Sequence, residues 1–344
     1  MTAVSFPIKL HTLPKPMHKA ITFRGFQGES DYPHILTAIN SSKEIDGVTR
    51  SDTLEDIVRN YAHLHHSDPY RDMIFAEVGG EVAGYSRCWW DLDAEGKFIG
   101  GQIAFVKAEY RHRGIGTRFL QFSEQRLSEI LFEAKAKGEV PASTESCFDI
   151  FISGTEQEKE ALLLKQGFKH VRYFFDMVRH DLENIPDAPL PTGLEVRPVL
   201  PEHYRPIWDA ANEAFRDHWG YIEAPEEDFQ KMLEDPIFDP SLWQVAWDGD
   251  QVAGMVQNFV NKAENEEYHR QRGYTEGISV RRPWRKRGLA RALIVRSLRM
   301  FKELGYKEAA LGVDSENLSG ALRLYESVGF QVVKRNSMLR KPLP

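Results

Sequence analysis

Apolar residues recur along the chain in two rhythms, and the order of those rhythms repeats. Residues 21–24 alternate apolar and polar, as a half-buried strand does. Helical spacing follows around 34–39 and again over 53–64, with Ser51 or Asp52 as the expected N-cap. Short apolar runs at 73–76 and 82–85 flank Gly79-Gly80 and predict a hairpin. A strand is expected at 102–106, a helix from 117 to about 136 and a strand at 147–152. A helical stretch at 161–164 stops at Gly167, and 168–178 reads as a strand. Residues 181–193 (DLENIPDAPLPTG) hold three prolines and a glycine without periodicity, and predict a linker.

The same order then begins again. A strand is expected at 194–197, a helix near 207–215, and a hairpin of 242–247 and 252–255 about Asp248-Gly249-Asp250. A strand at 274–280 runs into a basic turn and a helix reaching about 304. A strand at 308–313, a helix at 320–328 ending on Gly329, and a strand at 330–339 complete the copy. Arg24 matches Arg197, and Val-Ala-Gly at 82–84 matches 252–254. Val106, Arg111, Gly114 and Gly116 match Val280, Arg285, Gly288 and Ala290, and Gly167-Phe168 matches Gly329-Phe330. This is an internal duplication in which each unit has the size of a domain. The expected layout is a leader at 1–20, an N-terminal domain at 21–180, the linker at 181–193 and a C-terminal domain at 194–344.

Composition narrows the class. The chain has 344 residues, enough for two cores, and no run approaches the length of a membrane helix. No secretory pattern is read at the N-terminus, and Cys88 and Cys147 stand in no redox or metal spacing, so a cytoplasmic location is expected. A formal net charge of −7 argues against bulk binding to nucleic acid or an anionic membrane. His63-Leu64-His65-His66 invites a metal reading, but no carboxylate or cysteine stands near it at ligand spacing, and no metal is expected. No Walker sequence is present, which excludes that route to nucleotide hydrolysis.

The basic turn carries the chemistry. An apolar strand, a small-residue turn and a helix N-terminus offer unpaired N–H groups and the positive end of a helix dipole, an anion site that glycine leaves open to a phosphate. Arg285-x-x-Gly288-x-Ala290, and Arg111-x-x-Gly114-x-Gly116 in the first copy, resemble the acetyl-coenzyme A signature of the GNAT superfamily of N-acetyltransferases. The upstream hairpin and the downstream Asn317, Tyr325 and Gly329-Phe330 strengthen the likeness, which covers nearly the whole chain. As a tandem pair the chain is similar to the mycothiol synthase group. The resemblance implies an α/β (α+β) fold of two tandem GNAT acyltransferase domains. Each would be a mixed, mostly antiparallel sheet flanked by helices, with the fourth and fifth strands splayed around the pantetheine arm.

It also implies roles. Ile278, Ser279, Val280, Arg285, Lys286, Arg287, Gly288, Leu289, Ala290, Arg291 and Asn317 would hold acetyl-coenzyme A, with the N–H near Val280 as the oxyanion donor. Glu276 would be the general base and Tyr325 the general acid for the departing thiolate. A base is needed because an α-amino group titrates near ~8 and a lysine-type amine near ~10.4. The spacing of four between Glu276 and Val280 puts both on one face of a regular strand, together with Ile278. Phe215, His218 and Trp219 lie in a region that borders the acceptor in this superfamily. In the first copy Gln102 replaces Glu276, Leu163 replaces Tyr325 and Lys159 stands eight before Gly167. That half is therefore expected to be non-catalytic, with Val106, Arg111, Arg113, Gly114 and Gly116 retained for coenzyme or phosphate binding or only as scaffold. The expected activity is acetyl transfer to a primary amine of a small molecule by direct attack, in a monomer or homodimer. Acetylation of a protein or peptide amine, and a regulatory protein that binds acetyl-coenzyme A without turnover, remain open as alternatives.

Overall fold

A computed structural model describes residues 20–317 and 320–343; the expected leader lies outside them except for residue 20. Twelve strands form one sheet. They are β1 (Ile21–Arg24), β2 (Met73–Val78), β3 (Glu81–Leu92), β4 (Phe98–Val106), β5 (Ser146–Ile152) and β6 (Lys169–Arg179), then β7 (Glu195–Val196), β8 (Gln244–Asp248), β9 (Gln251–Phe259), β10 (Arg272–Val280), β11 (Glu308–Asp314) and β12 (Gln331–Pro342). Their order is β1-β2-β3-β4-β5-β12-β6-β11-β10-β9-β8-β7. All neighbours are antiparallel except β4–β5 and β10–β11.

The order shows that the repeats are interlocked. β12, the last strand of the second copy, lies between β5 and β6 of the first. β6, the last strand of the first copy, pairs with β11 of the second. The cores follow the strands: Leu339 and Leu343 pack with Phe148, Ile150 and Phe168, while Met177 and Leu182 pack with Leu293, Leu298 and Phe301. Each half is completed by a strand of the other.

Both faces of the sheet are covered, which is why its strands read as nearly continuous apolar runs. On β2, Ile74, Ala76 and Val78 pack under the helix Ile115–Lys137, and Met73 and Phe75 under the helices Tyr32–Ser41 and Leu54–Ala62. The second copy repeats this with the helix Leu289–Glu303 on one side and Tyr204–Phe215 on the other. The cap of the helix Leu54–Ala62 is Thr53 rather than Ser51 or Asp52, because Thr53 and Asp56 bond reciprocally as a capping box. The segment 181–193 has no regular structure but is tied down: Leu182 is buried, and Asp187 and Glu183 pair with Arg299 and Lys302 of the helix behind it.

Candidate active site

β10 and β11 are hydrogen-bonded only from Arg272↔Glu308 to Tyr274↔Ala310 and then separate, so the expected splay is present. A bulge accompanies it. Opposite β9, Glu276 faces Gln257 while Ser279 faces Met255, so three steps along β10 oppose two along β9. Gly277 makes this possible with φ +56°, a conformation that disfavours a side chain, and a Cβ there would collide with Gln257. Gln257 and Met255 share a face, so Glu276 aligns with Ser279, not with Val280 as a regular strand requires.

The Glu276 carboxylate accepts a hydrogen bond from Gly312 N across the splay at 2.8 Å. Burial pushes it up to about 7, the Gly312 bond works in the opposite direction, and Asp176 adds a smaller upward push. Tyr325, on the helix Ala321–Ser327, is buried at 6% exposure, and burial together with the Glu276 charge raises its phenol. Both line a cleft of about 1300 Å³.

The basic turn forms one end of this cleft. Lys286 (φ 60°) and Gly288 (φ 83°) take left-handed conformations, and the helix Leu289–Glu303 starts with no side chain capping its N–H groups. Space beyond Gly288 is open. Left-handed residues interspersed with right-handed ones turn successive N–H groups inward, and the helix dipole adds to the field, so the residues fit a pyrophosphate. Ser279 adds a buried hydroxyl without a partner among the described residues. Arg285 braces the turn, donating to Val280 O at 2.8 Å, Ala214 O at 3.0 Å and Asp217 at 2.5 Å. Asp217, held also by Arg282, is driven well below the ordinary carboxylate range.

Ile278, Ser279, Val280, Arg285, Lys286, Gly288, Leu289, Ala290, Arg291 and Asn317 all line the cleft with Glu276 and Tyr325. Arg287 does not: it points away and donates to Thr192 O in the linker at 3.1 Å. Phe215, His218 and Trp219 line the same cleft. Burial lowers the His218 imidazole, which favours its neutral form. Trp219 lies between Arg340 and Arg172, at 5.2 and 5.4 Å from its ring centre. Those arginines come from the two exchanged strands and are fixed by Asp149 and Asp314. The hairpin between β3 and β4 joins the lining of the cleft, where Ala94 N donates to Tyr221 O at 2.9 Å. Sequence reasoning missed this contribution of the first copy, because it depends on strand exchange.

The first copy keeps the backbone of the cradle, with His112 at φ 59° and Gly114 at φ 84°. Its surroundings differ in detail, although the space beyond Gly114 is as open as that beyond Gly288. Arg111 is clamped by Asp46 at 2.6 Å and by Glu158, and a Cβ at Gly116 would press on Leu162. Val106, Arg111, Arg113, Gly114 and Gly116 do not line the cleft that holds Glu276 and Tyr325. β4 pairs with β3 without a bulge, so Gln102 points into the core, bonded to Ser86, Phe119 and Ser123. Leu163 is a core residue and Lys159 pairs with Glu156.

The histidine cluster also differs from expectation. His65 and His66 meet Asp91 of β3, with one ligand atom of each within 4.8 Å of the others. The partner lies a whole strand pair away in sequence, outside any local spacing. His66 is otherwise engaged, stacked on Trp90 at 4.1 Å with Nδ1 3.1 Å from its carbonyl.

Comparisons with known proteins agree with this geometry. The mycothiol acetyltransferase of Geodermatophilus obscurus is 25% identical over 86% of this chain and 89% of its own length. That of Frankia alni is 24% identical over 94% and 95%. Among solved structures, a GCN5-related N-acetyltransferase from Sphaerobacter thermophilus superposes with a TM-score of 0.68 at 24% identity, covering 94% of this chain and 96% of that one. A tandem GNAT protein from the clavulanic acid biosynthesis pathway gives 0.67 at 12% identity, covering 94% and 99%. The model of the acetyltransferase (GNAT) family matches residues 36–138 and 204–330, one match on each repeat. With the splayed strands and cradle already in view, these matches establish that the chain is an acyltransferase belonging to the GNAT family.

Proposed function

We propose that the chain transfers the acetyl group of acetyl-coenzyme A to the primary amine of a small molecule, with catalysis in residues 194–344. Residues 21–180 complete the fold, and 181–193 connect the two. One observation carries the reading: a carboxylate raised to about 7 stands in the same cleft as a buried tyrosine and an open anion cradle, whereas the first copy has the core residues Gln102 and Leu163 at the matching positions. Acetyl-coenzyme A, when bound, supplies a thioester acetyl group. Lys286, Gly288 and the start of the helix Leu289–Glu303 would hold its phosphates, with Arg291 and Asn317 lining the same cleft. Glu276, ionised above about pH 7, takes a proton from the incoming ammonium directly or through water. Tyr325 keeps its proton at neutral pH and is available to donate it to the departing thiolate. The contact between the β3–β4 hairpin and the 218–221 loop suits a small acceptor better than a peptide.

An acetyl-transfer assay over a panel of amines, including a mycothiol-related amine and peptide amines, tests this. Transfer to a small amine that Glu276→Gln suppresses is expected. Turnover only on peptides would replace the acceptor class, and coenzyme binding without any transfer would favour a regulatory role.

A further inference from the structure

A second cavity of about 490 Å³ lies in the first copy, on the face of β3 and β4 turned away from the helix Ile115–Lys137. Tyr61, Tyr85, Trp89 and Phe105 wall it, and residues 222–231 from the second copy close one side. Its charged groups are Arg50, Asp52, Arg87, Asp91, Asp228 and Lys231, with His63 and His65 at the rim. Arg50 is spoken for by Asp52, at 2.7 Å through Nη2. His63 pairs with Glu234, and Asp91 lies within 4 Å of His65 and His66. Arg87 differs: among the described residues it has no carboxylate at ion-pair distance, and its Nε is buried without an acceptor. Its guanidinium sits by the Tyr61 and Trp89 rings, at 5.6 and 5.5 Å.

A guanidinium with no carboxylate at ion-pair distance leaves its charge open to an anionic ligand. Here it lines a space of small-molecule size with aromatic sides. A planar fork of N–H groups matches an oxyanion, and the rings beside it match a flat apolar body. We propose that this cavity binds a small molecule carrying one carboxylate or phosphate on an aromatic ring, with Arg87 as its anchor. The site is separate from the acetyl-transfer cleft and does not depend on the reading of that cleft.

Calorimetric titration of the full chain with benzoate, phenyl phosphate, inorganic phosphate and benzamide at constant ionic strength tests it. Benzoate or phenyl phosphate is expected to bind saturably, one per chain, about tenfold or more tighter than neutral benzamide and equally well with acetyl-coenzyme A present. Which of the two binds better identifies the anion. Arg87→Met is expected to weaken that binding about tenfold. Should that variant fail to fold, Arg87→Lys, which keeps the charge but loses the planar fork, is expected to weaken it as well. Equal affinity for benzoate and benzamide, unchanged affinity in a folded Arg87 variant, displacement by acetyl-coenzyme A, inorganic phosphate as tight as phenyl phosphate, or no saturable binding of any anion would each overturn the proposal.

Discussion

At the scale of single residues, Glu276 and Tyr325 are set by what surrounds them rather than by their own chemistry. Burial holds Glu276 at about 7, so below that pH it carries a proton and cannot accept another. The expected kcat/KM for amine therefore rises as pH rises through about 7, and Glu276→Gln lowers it about 10²–10⁴-fold and removes that limb. Stability moves the other way. Between the ordinary range for glutamate and about 7 the folded chain retains a proton that the unfolded chain has released, so this group's contribution is lost as pH climbs through the window. A melting series should show Glu276→Gln no less stable than the parent, and relatively more stable above pH 7. Tyr325→Phe is expected to lower kcat about 10–100-fold with little change in the KM for acetyl-coenzyme A, because only the donated proton is removed. An equal loss in coenzyme affinity would instead assign the hydroxyl to binding.

At the scale of elements, the sequence exposes the cradle but hides the bulge beside it. Arg285, Gly288 and Ala290 form a local pattern whose spacing any helix N-terminus must respect. The bulge depends on how β10 registers against β9, and Gly277 alone gives no sign of which way the strand will slip. For the same reason a regular-strand reading puts Glu276 on the face of Val280, whereas the bulge aligns it with Ser279. Gly277→Ala should cost about 1–3 kcal/mol through its left-handed backbone and the clash with Gln257, and should reduce turnover beyond what the remaining folded fraction explains. The two cradles offer an internal control, since Gly114 and Gly288 have the same φ. Alanine at either is expected to destabilise the chain by about 1 kcal/mol. If the first copy serves only as scaffold, calorimetry finds acetyl-coenzyme A affinity weakened only by Gly288→Ala. A loss with Gly114→Ala as well would show that the first copy binds the coenzyme after all.

At the scale of the whole molecule, duplication was legible because the two copies share local patterns, whereas strand exchange was not, since it is set by pairing between strands far apart in sequence. Arg179 marks the junction. It is 6% exposed and bonds the carbonyls of Asp181, Glu183 and Val328, joining β6, the linker and the end of the Tyr325 helix. Arg179→Leu leaves those carbonyls unmet and should lower stability by about 2–4 kcal/mol in denaturant titration. The interlock predicts that a fragment of residues 194–344 neither folds nor acts alone, while co-expression with residues 20–180 restores a soluble, active pair; an independently active C-terminal fragment would contradict this. Synthesis on the ribosome meets the same constraint as a delay. β5 emerges without its antiparallel neighbour, which arrives as β12 only about 160 residues after the end of β6, roughly 10–30 s later at ordinary elongation rates. Throughout that interval the nascent first half presents an open strand edge, the kind of surface that chaperones hold and that aggregation exploits.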